Sequence, residues 1–412
     1  MRGTKMLARA LGVERGVIKN VREEDGAGFV VRVQPRREHR SRCSHCGVRC
    51  PGYDAGGGLR RWRTHDLGLV RAFIESEAPR VQCAEHGVVV AQVPWARQGS
   101  GFTSTFEDTI AWLAVRTDKT TLSGLMRIAW RSVGAIVERV CAEARKSSPP
   151  LAGVRRIGID EVSYRKGHRY LTVVVDHDTG RLLWAQPGRD EKTLRKFFRE
   201  LGKEGRAAIQ LVSADAASWI GNVVREQCPD AVLCIDPFHV VAWATKALDE
   251  VRRAMWNQLR DQGEPERARS LKSSRWALVK NPEDLTRKQK RKLRAIEADN
   301  QVLYESYLLK EQLRHTFYVK GVLSTHMLSA WIQWAEETKI GPFVKVAQSI
   351  RNHREGIESA LVHGLSNARL ESSNTKLKLL TRMAFGFHSP APLIALAMLK
   401  LGGLCPQLPR AN

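Results

Sequence analysis

A run of alternating strand and helix patterns between residues 154 and 236 constrains the fold of this chain more than any other feature. The stretch VRRIGIDEVSYRKGHRYLTVVVDHDTGRLL predicts strands at hairpin spacing, with YRKGHRY and HDTG as turns. After a third strand, the patterns predict helix DEKTLRKFFRELGKEG, strand AAIQLVSAD, helix SWIGNVVREQC and strand AVLCID. The order β-β-β-α-β-α-β, followed by another helix, matches a ribonuclease-H-like fold. In that fold the first and fourth strands are parallel neighbours at a switch point, where α/β sites form.

Acidic residues follow both of these strands. Asp160 and Glu161 come after the first strand, which we expect to be buried from Val154 to Ile159, and Asp215 ends the fourth strand. Two carboxylates at adjacent strand ends raise each other's pKa unless cations lie between them. Divalent metals are the natural counter-ions, so we expect Asp160 and Asp215 to bind a metal and Glu161 to lie outside the cluster.

A third acid is available on a predicted helix near 367–385, within SNARLESSNTKLKLLTRMAFG. Helical spacing puts one polar set of side chains on a single face and an apolar set on another. The polar set is Glu371, Asn374, Lys378 and Arg382, and the apolar set is Leu370, Leu377, Leu380 and Ala384. Asp236 and His239, in CIDPFHVV at the end of the fifth strand, either help to shape the site or Asp236 simply begins the next helix.

A Cys/His pattern near the N-terminus predicts a zinc site. CSHCG begins at Cys43 and CAEHG begins at Cys83, and each supplies two ligands followed by a glycine that suits a tight turn. We expect Cys43, Cys46, Cys83 and His86 to bind Zn²⁺ in a zinc ribbon, with Cys50 and His45 as the alternatives. Four protein ligands leave no open coordination position, so the site would be structural. The plainer interpretation is two unrelated cysteine pairs in a core.

The segment TTLSGLMRIAWRSVGAIVERVCAEARK has the length of a helix-turn-helix. Ser132 is a candidate cap for the second helix, with Val133, Ile136, Val137 and Val140 on its inner face. Such a unit places its second helix in the major groove of DNA. Arg127, Arg131 and Arg139 would then be available for phosphates. An ordinary helical hairpin is the alternative.

Charge favours a polyanionic partner. The 412 residues carry a net charge of +24, with Lys and Arg in every segment, which favours nucleic acid over a basic protein kept soluble by its charge. We find no signal-peptide pattern, and APLIALAMLKLGGL is too short to span a bilayer, so we expect a cytoplasmic, nucleoid-associated protein with no membrane partner.

Together these motifs resemble the DDE transposases of bacterial insertion sequences, most closely the ISL-three family. The resemblance rests on IGIDEVSYRKGHRYLTVVVD, SAD, CIDPFHVV and SNARLESSNTKLKLLTRMAFGFHS, and the N-terminal CSHCG…CAEHG is similar to that family's zinc finger. It implies that Asp160, Asp215 and Glu371 are the catalytic triad that holds Mg²⁺ or Mn²⁺. It also implies a helical insertion between the last strand and the Glu371 helix.

The expected architecture is a multi-domain α/β protein with a zinc ribbon, a helix-turn-helix and a ribonuclease-H-like catalytic domain that carries an α-helical insertion. The expected parts are an N-terminal segment (1–40), zinc ribbon (41–95), helix-turn-helix (103–148), first catalytic part (154–245), insertion (246–350) and C-terminal catalytic part (351–402).

The resemblance implies a transposase that binds the terminal inverted repeats of its element, cleaves them and transfers the freed 3′ ends to target DNA. Bringing two ends together implies at least a dimer. A non-catalytic DNA-binding regulator derived from a transposase is the main alternative. A ribonuclease-H-like nuclease with a different triad and a zinc-dependent hydrolase are the others, and the four-ligand zinc site disfavours the hydrolase.

Overall fold

The computed structural model describes residues 3–26, 28–165, 167–319, 321–363, 368–383, 387 and 389–408, and for residues 368–371 it describes the backbone alone. The chain divides into two compact units. The N-terminal unit comprises Met1–Pro150 and Leu379–Asn412, and the central unit is Leu151–Lys378. Within the described residues, no helix combines the length and the apolar character that crossing a membrane requires.

The strands of the N-terminal unit belong to separate small sheets. They are β1 (Gly16–Glu24), β2 (Gly28–Pro35), β3 (Gly52–Asp54), β4 (Leu59–Arg63), β5 (Ala72–Glu77), β6 (Arg80–Cys83) and β7 (Gly87–Val90). One sheet has the order β1-β2-β5-β4 and another the order β3-β6-β7. Buried Val31, Trp62, Ile74 and Trp95 belong to one apolar cluster of this unit.

The first two strands, β1 and β2, form an antiparallel hairpin, of which β2 has the clearer strand pattern in the sequence. The other strand, β1, has the sequence GVIKNVREE, in which charges obscure the alternation. Antiparallel pairing with β2 stabilises β1, because β2 supplies its backbone hydrogen-bond partners. The side-chain sequence of β1 does not indicate this pairing.

Helices complete the N-terminal unit. They are α1 (Gly3–Ala10), α2 (Ser104–Ala114), α3 (Lys119–Met126), α4 (Trp130–Ser147) and, at the far end of the chain, α16 (Pro390–Leu401). Pro390 suits the first turn of a helix, and the apolar sequence PAPLIALAMLKL then provides buried Leu393, Leu396 and Leu399. α16 packs against α2 and α4, so the C-terminal end of the chain contributes to the core of the N-terminal unit.

A buried carboxylate joins the helices of this unit. Glu107 of α2 is fully buried, and its Oε1 accepts hydrogen bonds from the Arg139 guanidinium of α4 at 2.6 Å and from the Ser100 hydroxyl at 2.7 Å. Its Oε2 lies 3.3 Å from Nη1 of Arg97. Because burying a charge is unfavourable unless it is paired, these contacts make Glu107 a structural link between α2 and α4.

The central unit is built on one mixed sheet. Its strands are β8 (Arg156–Arg165), β9 (Arg169–Asp176), β10 (Leu182–Pro187), β11 (Leu211–Ala214) and β12 (Val232–Ile235), with α5 (Glu191–Ala208) and α6 (Ser218–Gln227) in the connections. The order across the sheet is β10-β9-β8-β11-β12. β8 pairs in parallel with β11, as the sequence predicted for the first and fourth strands.

The end of the first strand differs from the prediction. We expected it to stop at Ile159, but β8 continues to Arg165. Its parallel pairing with β11 ends at Ser213↔Gly158, whereas its antiparallel pairing with β9 goes on. Beyond Gly158, β8 is therefore paired on one side only, and Asp160 and Glu161 there are partly accessible, whereas Ile159 and Val162 remain buried.

Helices follow the sheet for most of the remaining central unit. They are α7 (Pro237–Asp261), α8 (Pro265–Ser273), α9 (Arg275–Val279), α10 (Arg287–Asp299), α11 (Gln301–Thr316), α12 (Val322–Glu337), α13 (Gly341–Asn352), α14 (Arg354–His363) and α15 (Ala368–Met383), whose last residues belong to the N-terminal unit. α7 is central to their packing, since α8, α9, α11 and α13 all contact it. Leu248, Leu313, Trp331 and Phe343 are fully buried in this helical core.

Replacing Glu107 by Ala should lower the free energy of unfolding of the N-terminal unit by about 1–3 kcal/mol, because the Arg139 guanidinium would lose its buried acceptor. Arg97 would keep two other carboxylate partners. Glu138→Ala changes an exposed acid of α4 one residue from Arg139, so its effect should stay within about 0.5 kcal/mol. Urea denaturation of the full chain, followed by tryptophan fluorescence, measures both. Equal midpoints for the two variants would contradict a structural role for Glu107.

Candidate active site and metal centre

The register of β8 and β11 brings two acids level with each other. Ser213 pairs with Gly158, and continuing this parallel register by two residues aligns Asp215 with Asp160. In a pleated sheet, two residues further along returns each side chain to the same face. The two predicted carboxylates therefore face the same side at the end of the β8–β11 pairing.

Asp160 is largely enclosed and is held by neighbours. Its Oδ1 accepts the backbone N–H of Glu161 at 2.6 Å, and its Oδ2 accepts a hydrogen bond from the Asn374 side-chain amide of α15. Burial raises the pKa of Asp160, and the negative charge of Asp215 adds to that rise. The hydrogen bonds from Glu161 and Asn374 and the nearby His239 oppose it. A positive charge at this position would favour the ionised form.

Asp236 begins the next helix, which is one of the two alternatives that the sequence left open, and a role of Asp236 and His239 in the site stays a prediction. Asp236 caps α7, because its Oδ1 accepts the backbone N–H of Phe238 at 2.9 Å. Nε2 of His239 lies 3.6 Å from Oδ2 of Asp236, and His239 acts electrostatically on Asp160. The start of α7 therefore forms one wall of the acidic site.

Glu161 follows Asp160 on β8, and its side chain is 8 % exposed with Oε2 paired with Arg189. Burial, followed by repulsion from Asp215 and Asp160, raises its pKa to about 7, although Arg189 opposes the rise. Successive side chains of a strand point to opposite faces of the sheet, so Glu161 faces away from Asp160. The expectation that Glu161 lies outside the cluster stays a prediction.

α15 contributes its side chains along two faces. Leu377 and Leu380 are buried, whereas Lys378 and Arg382 are exposed, in agreement with the predicted faces. The backbone of Glu371 lies in α15, but its side chain is outside the described atoms, as is that of Leu370. Ala384 is outside the described residues altogether. The part of the predicted triad for which the structure gives side-chain geometry is thus Asp160 and Asp215.

The predicted zinc ligands come together in the N-terminal unit. One ligand atom from each of Cys43, Cys46, Cys83 and His86 lies within 4.8 Å of the others. Sγ of Cys83 is 3.6 Å from Nδ1 of His86 and 3.8 Å from Sγ of Cys46. The β6–β7 hairpin provides Cys83 and His86, and the loop before β3 provides the other two.

Local backbone geometry explains why these knuckles form. The glycine after each one, Gly47 and Gly87, has a positive φ of 73° and 67°, which a residue with a side chain rarely adopts. The tight turn lets the backbone N–H of His45 reach Sγ of Cys43 at 3.4 Å. The hydrogen bond to His86, with backbone N–H groups in support, lowers the pKa of Cys83 to about 6 and so favours the thiolate that binds metal.

The alternative ligands have other contacts. Cys50 donates a weak hydrogen bond to the carbonyl of Val48 at 3.3 Å and is buried in a small apolar cluster. The His45 ring stacks on His86 with 5.0 Å between ring centroids, and Gln98 lies 2.9 Å from its Nε2. His45 therefore supports the His86 ring from one side.

The helix-turn-helix segment forms as α3, a short turn and α4. Ser132 does not cap α4: the helix begins at Trp130 with Ala129 as the N-cap, so Ser132 lies inside its first turn. The turn uses Arg127 in a left-handed conformation, with a φ of 51°, where a glycine is usual. The inner face is as predicted, since Val133, Ile136, Val137 and Val140 are all buried.

The three arginines predicted for phosphates have different environments. Arg127 is paired with Asp66 and donates to the carbonyl of Leu69 at 2.9 Å. Arg139 is paired with buried Glu107. Arg131 is exposed on the first turn of α4, and among the described residues it has no carboxylate partner. Arg131 is thus the member of this set with its charge available to DNA.

A basic cleft that the sequence did not reveal lies in the N-terminal unit. Its volume is about 810 Å³, and Arg15, Arg42, Arg60 and Lys146 are among the residues that line it. These residues come from sequence positions more than a hundred residues apart and from different elements, so no local pattern could have grouped them. The cleft is suited to a phosphate backbone.

Comparison with known families agrees with this arrangement along the chain. The DDE domain model of the ISL3 (ISL-three) family, described as a transposase, matches residues 157–397. The helix-turn-helix domain of the ISL3 transposase family matches residues 91–141. The zinc finger of the transposases of IS204, IS1001, IS1096 and IS1165 matches residues 39–86.

Individual relatives agree as well. The transposase for insertion sequence element IS1557 of Mycobacterium tuberculosis is 53 % identical, over 99 % of this chain and 98 % of its own length. The transposase for insertion sequence element IS1001 of Bordetella parapertussis is 28 % identical, over 84 % of this chain and 85 % of its own length. With zinc-ribbon, helix-turn-helix and DDE domains in this order, the chain belongs to the ISL3 family of insertion-sequence transposases.

Proposed function

We propose that this transposase binds the terminal inverted repeats of its own insertion sequence and catalyses strand cleavage and strand transfer with divalent cations held by Asp160, Asp215 and Glu371. The observation that carries the proposal is the register of β8 and β11, which aligns Asp160 with Asp215. The sheet order β10-β9-β8-β11-β12 supports a ribonuclease-H-like catalytic core. The helices from 246 to 350 correspond to the proposed insertion.

The donor atoms of this site suit Mg²⁺ or Mn²⁺. Carboxylate and amide oxygens are the ligands that these hard cations prefer. Oδ1 of Asn374, whose amide group also contacts Asp160, is buried without a hydrogen-bond partner among the described residues, which is unfavourable unless another group satisfies it. The raised pKa of Asp160 is also the expected property of an acid whose counter-ion is a metal.

The side chains of the chain have separate tasks in the proposed reaction. Bound divalent cations would activate a water or a 3′-OH and stabilise the leaving 3′ oxygen in an in-line displacement. Asp160 and Asp215 would hold these cations where the β8–β11 pairing ends, and Asn374 orients Asp160 through its hydrogen bond. Exposed Lys378 and Arg382 would bind phosphates and so position the strand without reading its sequence.

Recognition of the element ends is proposed for the N-terminal unit. Arg131 and the basic cleft supply positive charge, and Cys43, Cys46, Cys83 and His86 would bind a Zn²⁺ that links the β6–β7 hairpin to the loop that precedes β3. A Zn²⁺ with four protein ligands is structural and leaves no position for substrate, which argues against a zinc-dependent hydrolase. None of the matched families or relatives named above is described as a regulator.

Two further parts of the proposal follow from the chemistry. Cutting and joining two ends of one element requires at least two copies of the chain in the active complex. Because target DNA and element DNA are the substrates, the protein would act at the nucleoid in the cytoplasm.

Asp160→Asn, Asp215→Asn and Glu371→Gln should each abolish nicking of a labelled terminal-repeat duplex in Mg²⁺ by orders of magnitude, because each removes a cation ligand at nearly constant size. Binding to the same duplex in Ca²⁺ should stay within a few fold or improve, since repulsion from phosphates falls.

Glu358→Gln is the matched control, because Glu358 is an acid of the neighbouring helix α14 that is paired with Arg354 at 2.7 Å. It should cleave like the parent. Normal cleavage by Glu371→Gln together with an inactive Glu358→Gln would show that the third acid is misassigned.

Purified protein should contain one zinc ion per chain. Cys46→Ser and His86→Ala should lose it and melt at lower temperature, since structural zinc binding is coupled to folding. Cys50→Ser should retain zinc because Cys50 lies outside the ligand group. Elemental analysis and thermal denaturation measure the two effects. Zinc retained in His86→Ala but lost in Cys50→Ser would show that the fourth ligand is Cys50 and not His86.

Arg131→Ala should weaken binding to the terminal repeats and reduce the slope of log K against log salt by about 1, as expected when one phosphate contact is lost. Arg139→Ala should instead lower stability, because its guanidinium is bound to buried Glu107. Fluorescence anisotropy over a salt series, with a thermal melt of each variant, separates the two. An unchanged slope for Arg131→Ala would exclude it from the DNA contact.

A further inference from the structure

A cleft in the helical part of the central unit begins beside the acidic site. It has a volume of about 730 Å³, within the range of a small-ligand pocket, and it lies between α7 and the end of α11. Phe238, on the first turn of α7, and Tyr318, just after α11, are among the residues that line it. We propose that this cleft, the aromatic cleft, binds an unpaired nucleotide at the end of the DNA strand held at the acids, with its base against Phe238 or Tyr318.

Two aromatic side chains that line the cleft are largely exposed, so burial of their rings contributes little to folding. Phe238 is 57 % exposed and Tyr318 is 67 % exposed. The backbone of Phe238 is held at the start of α7, since its N–H donates to the capping carboxylate of Asp236 at 2.9 Å. The Tyr318 ring is held at its tip, where the hydroxyl accepts a hydrogen bond from Arg314 at 3.3 Å. Exposed rings that are held in this way provide stacking surfaces with little loss of side-chain entropy.

The position of Phe238 connects the cleft to the acidic site. It lies between Asp236 and His239 in the chain, and the His239 ring packs edge-on against it with 5.8 Å between ring centroids. His239 in turn acts on Asp160. A strand whose terminal phosphate lies at the acids therefore has Phe238 as the adjacent aromatic surface on this wall.

Charge favours a nucleotide over an apolar protein segment. Lys246 is exposed in the cleft and has no carboxylate partner among the described residues. The carboxylate of Asp249, which also lines the cleft, is shared by Arg252, Arg253 and Arg275 at 2.8–3.6 Å, so its negative charge is compensated. Aromatic faces combined with cations are the features that bind single-stranded nucleic acid without sequence preference.

The inference rests on the proposed cleavage chemistry, which creates a free 3′ end at the acids, but it can be tested by binding alone. The probes are a blunt duplex and the same duplex with a short 3′ single-stranded overhang that carries 2-aminopurine. In Ca²⁺, the full-length protein should bind the overhang about tenfold more tightly than the blunt end, and stacking should quench the 2-aminopurine fluorescence. Phe238→Ala and Tyr318→Ala should reduce the preference severalfold and restore fluorescence.

Phe238→Trp should keep the preference, because it retains an aromatic face. Val322→Ala is the control, since Val322 is an exposed apolar side chain of α12 outside the cleft. Equal affinity of the parent for both probes, or a preference unchanged in both alanine variants, would overturn the proposal. Loss of self-association in Phe238→Ala without loss of overhang binding would assign the surface to a protein partner instead.

Failure of the proposed cleavage chemistry gives a different result. A parent protein that shows Phe238-dependent quenching but does not nick terminal-repeat DNA in Mg²⁺ would retain the cleft and refute the catalytic assignment. Nicking with no dependence of overhang binding on the aromatic residues would retain the chemistry and refute the cleft.

Discussion

The unequal lengths of two neighbouring strands determine the chemistry of the central unit. β11 ends at Ala214, whereas β8 continues to Arg165 on the support of β9 alone. Asp160 therefore lies where the backbone partner on one side has stopped, and Asp215 lies level with it on the chain that leaves the sheet. A longer β11 would pair with β8 at Asp160 as well. A shorter β8 would end before Asp160, which would then lose its antiparallel pairing with β9. The acids are close because the sheet pairing ends there, and burial then makes a cation favourable.

The element order could be read from the sequence because each element has a strong local pattern. Buried strands such as YLTVVVD and the amphipathic face of α5, with Leu194, Phe197 and Phe198, depend on neighbours in the chain. The extent of β8 could not be read in this way, because it depends on the length of its partners. β1 could not be predicted either, because its charged sequence becomes a strand only through pairing with β2.

The zinc ligands and the arginines show where local reasoning is sufficient. Cys43, Cys46, Cys83 and His86 could be grouped because each knuckle has fixed spacing and a glycine that permits its turn. The sequence around the arginines has no comparable spacing from which their partners could be predicted. Arg127 is paired with an acid 61 residues away and Arg139 with an acid 32 residues away, so their availability to DNA is decided by the tertiary fold. A basic residue becomes a candidate for DNA contact only after its carboxylate partners are known.

The packing of α16 against α2 and α4 has a consequence for the order of events during synthesis. Bacterial proteins emerge from the ribosome N-terminus first, and domains fold as units once they are complete. Here the N-terminal unit lacks part of its core until residues 390–401 have been made, because Leu393, Leu396 and Leu399 come from the end of the chain. A nascent or prematurely terminated chain therefore leaves apolar surface of α2 and α4 uncovered. Translation through α16 is in this way a condition for a complete N-terminal unit, and fragments that stop before α16 are poor candidates for independent DNA-binding proteins.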